Sequence, residues 1–389
     1  MFDSTQRPPC TTQFLWRQKE LPGWAASGVS LHGHTLHSRE NLRFLNSYRD
    51  SIPPVGWLLR LAAAEHRRLT GEIFRPERAF WRPPLDPKQA WELEASQIAG
   101  LGLQPLISLT DHDEIAAGLE IAGAPVSLEW SLPFGPSLFH LGIHNLPRNE
   151  ATDWYQELMA CSARPEPSRL RSLLAALDRL EQVLIVLNHP YWDGCRVGAA
   201  SHAVALGAFL GQYRPFLHAL EANGLRPARE NQQVLNLAQC WGLPVVAGGD
   251  RHGREASSCF NISRARSFTE FVSEVRKLRE SHIVFTEAYR ASARWRWLRF
   301  GHDILRKDAM AGDGVRHWTE SFFYEFDDGR VLSLRECWGR QTARCLSPCV
   351  AVLKLAALPG ARKLSSWLFA DGGEFGIPLP TAAYLWQAR

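Results

Sequence analysis

From Gly28 onward the chain alternates between short apolar runs and longer stretches in which apolar residues recur at helical spacing. Residues 103–109 (LQPLISL), 125–128, 138–143, 183–187, 217–220 and 243–247 predict strands. A strand covered on both faces is apolar throughout, not only at every second position. Residues 86–101, 169–180 and 227–241 predict helices with one apolar stripe. Strands alternating with helices predict an α/β protein, a parallel sheet with helices laid over it.

The pattern breaks in three places. Residues 1–24, with Pro8, Pro9, Pro22 and Gly23, predict an irregular N-terminal arm. Residues 40–86 form a long insertion, helical over 56–69 and then proline-rich, of the kind that shapes or caps a pocket. Beyond about residue 290 the alternation stops. There, 321–326 and 330–334 flank Asp327-Asp328-Gly329, a hairpin signal, and an amphipathic stretch over 342–358 ends at Pro359-Gly360. The expected division is therefore an arm (1–24), a main unit (25–290) and a small appended α+β unit (291–389).

Composition narrows the picture only slightly. With 389 residues, 45% hydrophobic and 22% charged, the chain can bury a large core. A net charge of +4 does not demand a nucleic-acid or membrane partner. Eight scattered cysteines with no Cys-x-x-Cys pair suggest reduced thiols, and the first twenty residues lack the apolar core of a signal peptide. The longest apolar run, 345–358, is too short to cross a bilayer and carries Lys354. A cytoplasmic protein with no membrane association is expected.

The candidate chemistry lies where the apolar runs end. In chain order the clusters are His32-Gly-His34, Thr110-Asp111-His112-Asp113, Glu129, Asn188-His189-Pro190 and Gly248-Gly249-Asp250-Arg251-His252. A His-x-His on extended backbone turns two imidazoles to one side, where both reach one metal. Each cluster alone has a plain structural alternative: an incidental pair, a helix-capping Asp113, a Glu129 paired with an arginine, a satisfied core His189. Together they do not, because burying so many titratable groups without a cation is costly. Imidazole mixed with carboxylate suits zinc, manganese or iron.

SLHGHTLHS, LTDHDEIAAG, SLEW, FHLGIH, LNHP and GGDRHG, in this order over about residues 28–255, resemble the motifs of the polymerase and histidinol phosphatase (PHP) superfamily. The resemblance implies a distorted (β/α)7 TIM-like barrel and two or three divalent metal ions (Mn, Zn or Fe) that hydrolyse phosphate esters. It implies that His32, His34 and Asp250 hold a first metal, that Glu129 bridges to a second completed by His140 and His189, and that His112 and His252 bind a third metal or the substrate phosphate. His140 fits the family's histidine better than His144 because it directly precedes the Leu-Gly pair. Asp111 is counted among the metal-binding residues. The sequence departs from the family twice. No acid precedes His32, and the ligand expected shortly after Ser38 falls on Arg39 or Glu40, with His37 a third candidate; Glu40 is carried as the ligand.

The mechanism implied is attack by a metal-activated water, with His112 or His252 as general acid and Arg251, aided by Arg254, forking onto phosphate oxygens. Glu221 and Asn223 are expected to support ligands. Substrate candidates are a phosphorylated small molecule or an oligonucleotide. Residues 276–299 interleave basic and aromatic residues, a pattern that suits single-stranded nucleic acid, but a solvated helix face is the favoured reading. Two other functions compete. A metal amidohydrolase also begins with His-x-His, but lysine is sparse between 100 and 250. A non-catalytic binding module would follow if the Ser38-Arg39 departure had cost a metal.

Overall fold

The computed structural model describes residues 10–42 and 53–293, then 295, 296, 299, 303, 308, 309, 315, 316, 318–342 and 351. The expected amphipathic stretch 342–358, the first nine residues of the arm and most of the end of the appended unit lie outside the described residues. The strands are β1 Thr11–Phe14, β2 Ser27–Ser30, β3 Glu40–Asn41, β4 Ala79–Trp81, β5 Gln104–Ile107, β6 Val126–Phe134, β7 Ser137–Leu146, β8 Leu184–Asn188, β9 Ala219–Asn223, β10 Val245–Gly248, β11 Cys259–Ser263, β12 His282–Phe285, β13 Asp308–Ala309, β14 Val315–Arg316, β15 Phe322–Glu325 and β16 Val331–Ser333.

Two five-stranded sheets make up the main unit, ordered β1-β12-β11-β2-β5 and β10-β9-β8-β7-β6. Continuous pairing does not run around a closed barrel. Between these sheets stand two parallel bridges, Gly33 with Arg251 and His112 with Glu129. Gly33, Arg251 and His112 sit just beyond strand ends, whereas Glu129, expected where its apolar run ends, lies within β6, which runs on to Phe134; both bridges involve residues of the predicted site. β2–β5, β8–β9 and β9–β10 are parallel as expected, whereas β7 runs antiparallel to β6 and β8. The turn between β6 and β7, Phe134-Gly135-Pro136-Ser137 with Gly135 at φ +56°, is too short for a crossover helix, so the strand must reverse. The arm is also more ordered than its prolines suggest, because β1 pairs in parallel with β12 from Thr11–His282 to Phe14–Phe285.

Alternation along the second sheet explains how apolar strands carry polar groups. Leu128, Trp130, Leu141, Ile143, Ile185, Leu187, Leu220, Ala222, Val245 and Ala247 belong to one core cluster. That cluster also takes in Leu158, Leu174, Leu206, Leu210 and Val234 from the helices Ala151–Ala163, Pro167–Asp178, Ala199–Tyr213 and Ala228–Trp241. On the opposite face Leu184, Val186, Ala219 and Val246 pack with Val29, Leu31 and Phe271. The period of two then places Glu129, His140, Asn188, Glu221 and Asn223 on this second face. They form a polar layer above a dry apolar one.

The insertion and the appended unit are not separate. β3 and β4 from the insertion join β15 and β16 in one antiparallel sheet ordered β16-β15-β4-β3, and helix Pro53–Thr70 packs on helix Leu334–Thr342. The hairpin predicted around Asp327-Asp328-Gly329 is present, with Tyr324 opposite Leu332 and Gly329 at φ +81°.

Candidate metal centre

Nine of the ten predicted metal-binding residues converge. Glu129, fully buried on β6, is the hub. Its Oε2 stands 3.0 Å from His32 Nε2, 3.4 Å from His34 Nε2 and 3.2 Å from His112 Nδ1. Its Oε1 stands 3.1 Å from His140 Nδ1 and 3.0 Å from His189 Nε2, and accepts from Asn188 Nδ2 at 3.0 Å. Asp250 Oδ1 lies 3.7 Å from His32 Nε2 and 3.6 Å from His34 Nε2. A third group gathers around Glu40, whose oxygens lie 3.7 Å from His34 Nδ1, 3.4 Å from His112 Nε2 and 3.2 Å from His252 Nε2.

The donor set fits divalent cations. Atoms held about 2.0–2.2 Å from one ion at tetrahedral or octahedral angles stand roughly 3–3.6 Å from one another. Those are the spacings found around Glu129. Three of the donor groups are His32, His34 and Glu129; His112, Glu129 and His140; and His34, Glu40, His112 and His252. The nitrogens of His32 and His34 approach to 3.0 Å, an arrangement that two lone pairs tolerate only with a proton or cation between them. The chain thus carries a buried His/Glu/Asp cluster suited to divalent metal.

Protonation follows burial and the carboxylates. Burial drives the His34 imidazole down to about 3, aided by the nearby charge of His252, and drives His140 down to about 4. Both are neutral at pH 7 with a lone pair to offer. Burial opposes charge on His112 as well, but Glu40 and Glu129 prevail and lift it to about 10. Burial would raise Glu129; His32, His112 and His140 instead hold its carboxyl well below the usual range.

The outer contacts fix these rings. His32 Nδ1 lies 2.6 Å from Glu221 Oε1, which sets the tautomer that leaves Nε2 free for a metal. Glu221 Oε2 accepts from the His189 backbone N–H and from Asn223 Nδ2, both at 2.9 Å, and Asn223 Nδ2 also reaches Asp250 Oδ2 at 3.1 Å. A Cβ on Gly248 would fall 1.5 Å from Glu221 Oε1, so only glycine leaves room for that carboxylate. His189 and Asp250 both have left-handed backbone, at φ +25° and +52°. Strain of this kind in non-glycine residues persists only where surrounding contacts hold it.

Several expectations need correction. Asp111 is not in the cluster, because Thr35 occupies both its oxygens through the backbone N–H at 2.5 Å and the hydroxyl at 2.6 Å. Arg251 is not a phosphate clamp. Its side chain is buried, 2.8 Å from Glu94 Oε1, and donates to the carbonyls of Gly253 and His34 at 2.9 and 3.0 Å. Asp113 does not cap the short helix Ala116–Glu120; it accepts from Ser131 N, and Glu114 serves the helix amides. Of the three candidates near Ser38, Glu40 enters the site, whereas Arg39 is exposed over the Phe80 ring and His37 pairs with Glu120. His144 lies on the same face as His140 but one layer away, bonded to Ser108 Oγ at 2.8 Å.

Sequence reasoning named Asn188 without giving it a role, and missed Thr35, Glu94 and the Ser38 hydroxyl, which donates to Glu40 Oε1 at 2.7 Å. Asn188 stands beside His189 in the motif, and alternation on β8 marks it as inward-facing. Glu94 gives no local signal; only its burial beneath Arg251 reveals its part. The basic segment is mixed: Arg276 donates to the carbonyls of Asp178, Leu180 and Val183, Arg296 to those of Tyr289 and Arg226, and Trp295 is buried, whereas Lys277 and Arg290 are exposed and pair with Glu181 and Glu287. Arg294 and Trp297 lie outside the described residues. No helix among the described residues is long and apolar enough to cross a membrane.

No family model matches the chain, and no curated protein matches it. Among solved structures, one from Bifidobacterium adolescentis, provisionally named a metal-dependent phosphoesterase, aligns with 51% of this chain and 92% of that chain at 14% identity and a TM-score of 0.30, a likeness too slight to bear on chemistry.

Proposed function

We propose that the protein is a metal-dependent phosphoesterase that hydrolyses a phosphate ester with two or three divalent cations, Mn, Zn or Fe, bound in this cluster. One observation carries the reading: both oxygens of a single buried carboxylate, Glu129, are ringed by imidazole nitrogens, three on one oxygen and two on the other. A carboxylate so placed would offer one oxygen to each of two cations. His32, His34, Asp250 and Glu129 would hold the first, Glu129, His140 and His189 the second, and Glu40, His112 and His252 a third. The chemistry such cations would supply is a coordinated water whose pKa falls from about 15.7 towards 7, and positive charge opposite the phosphoryl oxygens. We read the two sheets as an opened, distorted (β/α)7 barrel with the site on and just beyond its strands.

The chain's own groups orient this chemistry. Glu221 and Asn223 hold His32, His189 and Asp250 in place. His112 has the most exposed side chain of the six clustered histidines, at 16%, so it faces the mouth of the site, where a leaving group would collect a proton. The binding-module alternative rested on a ligand lost after Ser38, and the nearness of Glu40 to His34, His112 and His252 weighs against that loss. An amidohydrolase lysine is missing, since none occurs between Lys88 and Lys277. The test is a phosphate-release screen over phosphomonoesters, phosphodiesters and short oligonucleotides with added manganese. Activity that His34→Ala and Asp250→Ala abolish supports the reading; wild-type turnover in both variants refutes it.

A further inference from the structure

Glu40 differs from the other donors in how it reaches the cluster. His32, His34, His112, Glu129, His140, His189, Asp250 and His252 lie on or just beyond strands of the two main sheets. Glu40 alone lies on the four-stranded sheet shared by the insertion and the appended unit. Its strand β3 has two residues and, among the described residues, pairs only with β4, through Glu40–Trp81 and Asn41–Phe80. β4 has three residues, and its other edge pairs with β15, through Phe322–Trp81, Phe323–Phe80 and Tyr324–Ala79. A ribbon of two and three residues does not hold itself in water; the third and fourth strands give it an apolar face. That face is the cluster of Leu42, Ala79, Trp81, Tyr324 and Phe326. Tyr324, 1% exposed, clamps the insertion further by accepting from Arg75 N at 3.3 Å and donating to Ile73 O at 3.1 Å. The same sheet touches a second donor, with the Trp81 ring 6.0 Å from that of His252.

We propose that the hairpin of β15 and β16, through Tyr324, positions Glu40 and so decides whether a cation is held among His34, Glu40, His112 and His252, while the donors around Glu129 do not depend on it. Tyr324 is a positioning residue more than 280 positions away in sequence from the ligand it controls. The inference rests on the metal reading of the cluster, and not on which bond the protein cleaves.

The test loads full-length wild type, Tyr324→Ala, Tyr324→Phe and Glu40→Gln with manganese, removes excess by dialysis and counts ions per chain by mass spectrometry. Hydrogen exchange at the Leu42 amide, which bonds Ala79 O at 3.0 Å, is followed in the metal-free proteins. Tyr324→Ala and Glu40→Gln are each expected to bind one ion fewer than wild type. Only Tyr324→Ala should speed exchange at Leu42, and Tyr324→Phe should keep the full ion count. A Tyr324→Ala protein with the wild-type count, when Glu40→Gln has lost an ion, overturns the inference. So does a Tyr324→Ala protein that unfolds or loses every ion, because selective loss is the claim. A full count in Glu40→Gln overturns the ligand role of Glu40 itself and the inference with it. Phosphate release enters none of these outcomes.

Discussion

Replacing Glu221 by glutamine probes the metal reading at its most constrained point. Oε1 faces His32 Nδ1 at 2.6 Å, and Oε2 accepts from His189 N and Asn223 Nδ2, each at 2.9 Å. Both oxygens therefore face donors, and an amide has only one oxygen. If the new NH2 group faces His32, Nδ1 must become the acceptor, and the ring proton moves to Nε2, where a metal would bind. If it faces His189, two N–H groups oppose each other beneath a residue already at φ +25°. Neither orientation leaves the site intact. Loss of such an outer partner typically lowers metal affinity by about 10–100-fold, or roughly 1.4–2.8 kcal/mol. Glu221→Gln is expected near the upper end of that range, measured by competition with a chromophoric zinc chelator. Affinity within threefold of wild type in a folded protein would show that His32 is not a ligand held by this carboxylate.

Other outcomes follow from the same contacts. Gly248→Ala drives a methyl into the space of Glu221 Oε1 and should lower zinc affinity as Glu221→Gln does; unchanged affinity would mean that the carboxylate moves freely. Arg251→Ala leaves the buried Glu94 charge without its cation, with only Ser30 and Ser257 donating to it, and should cost about 3 kcal/mol in urea unfolding. A change confined to the KM for phosphate esters would restore the clamp role. His144, buried and lowered from 6.5 to about 3, stays neutral in the folded protein while the unfolded chain takes up a proton below pH 6.5. Its contribution is full above pH 6.5 and is lost as pH falls, by about 2 kcal/mol at pH 5. Metal-free His144→Gln should lose that much less stability than wild type between pH 7 and 5, and an identical slope would refute the assignment. His140→Ala should reduce bound metal whereas His144→Ala should not; the reverse result would exchange their roles.

The sequence by itself determined which residues were candidates for chemistry, and for a physical reason. Strands buried on both faces must be apolar, so a histidine or acid at the end of LISL, PVSL or LIVL stands out against its surroundings. Residue type and position at the ends of apolar runs therefore singled out His32, His34, His112, Glu129, His189 and Asp250, and the motif resemblance, which wants a histidine directly before Leu-Gly, favoured His140 over His144. The sequence did not determine where each side chain points or what answers it. Asp111 and Arg251 sit inside ligand motifs, yet Thr35 and Glu94, 76 and 157 positions away, take them out of the site. The reversed strand β7 and the union of insertion with appended unit were also hidden, because strand pairing joins segments without a local signature. Glu40 shows the division most clearly. Its type and place made it one candidate among three, but only strands β4 and β15, packed against it from elsewhere in the chain, bring its carboxylate to His112 and His252.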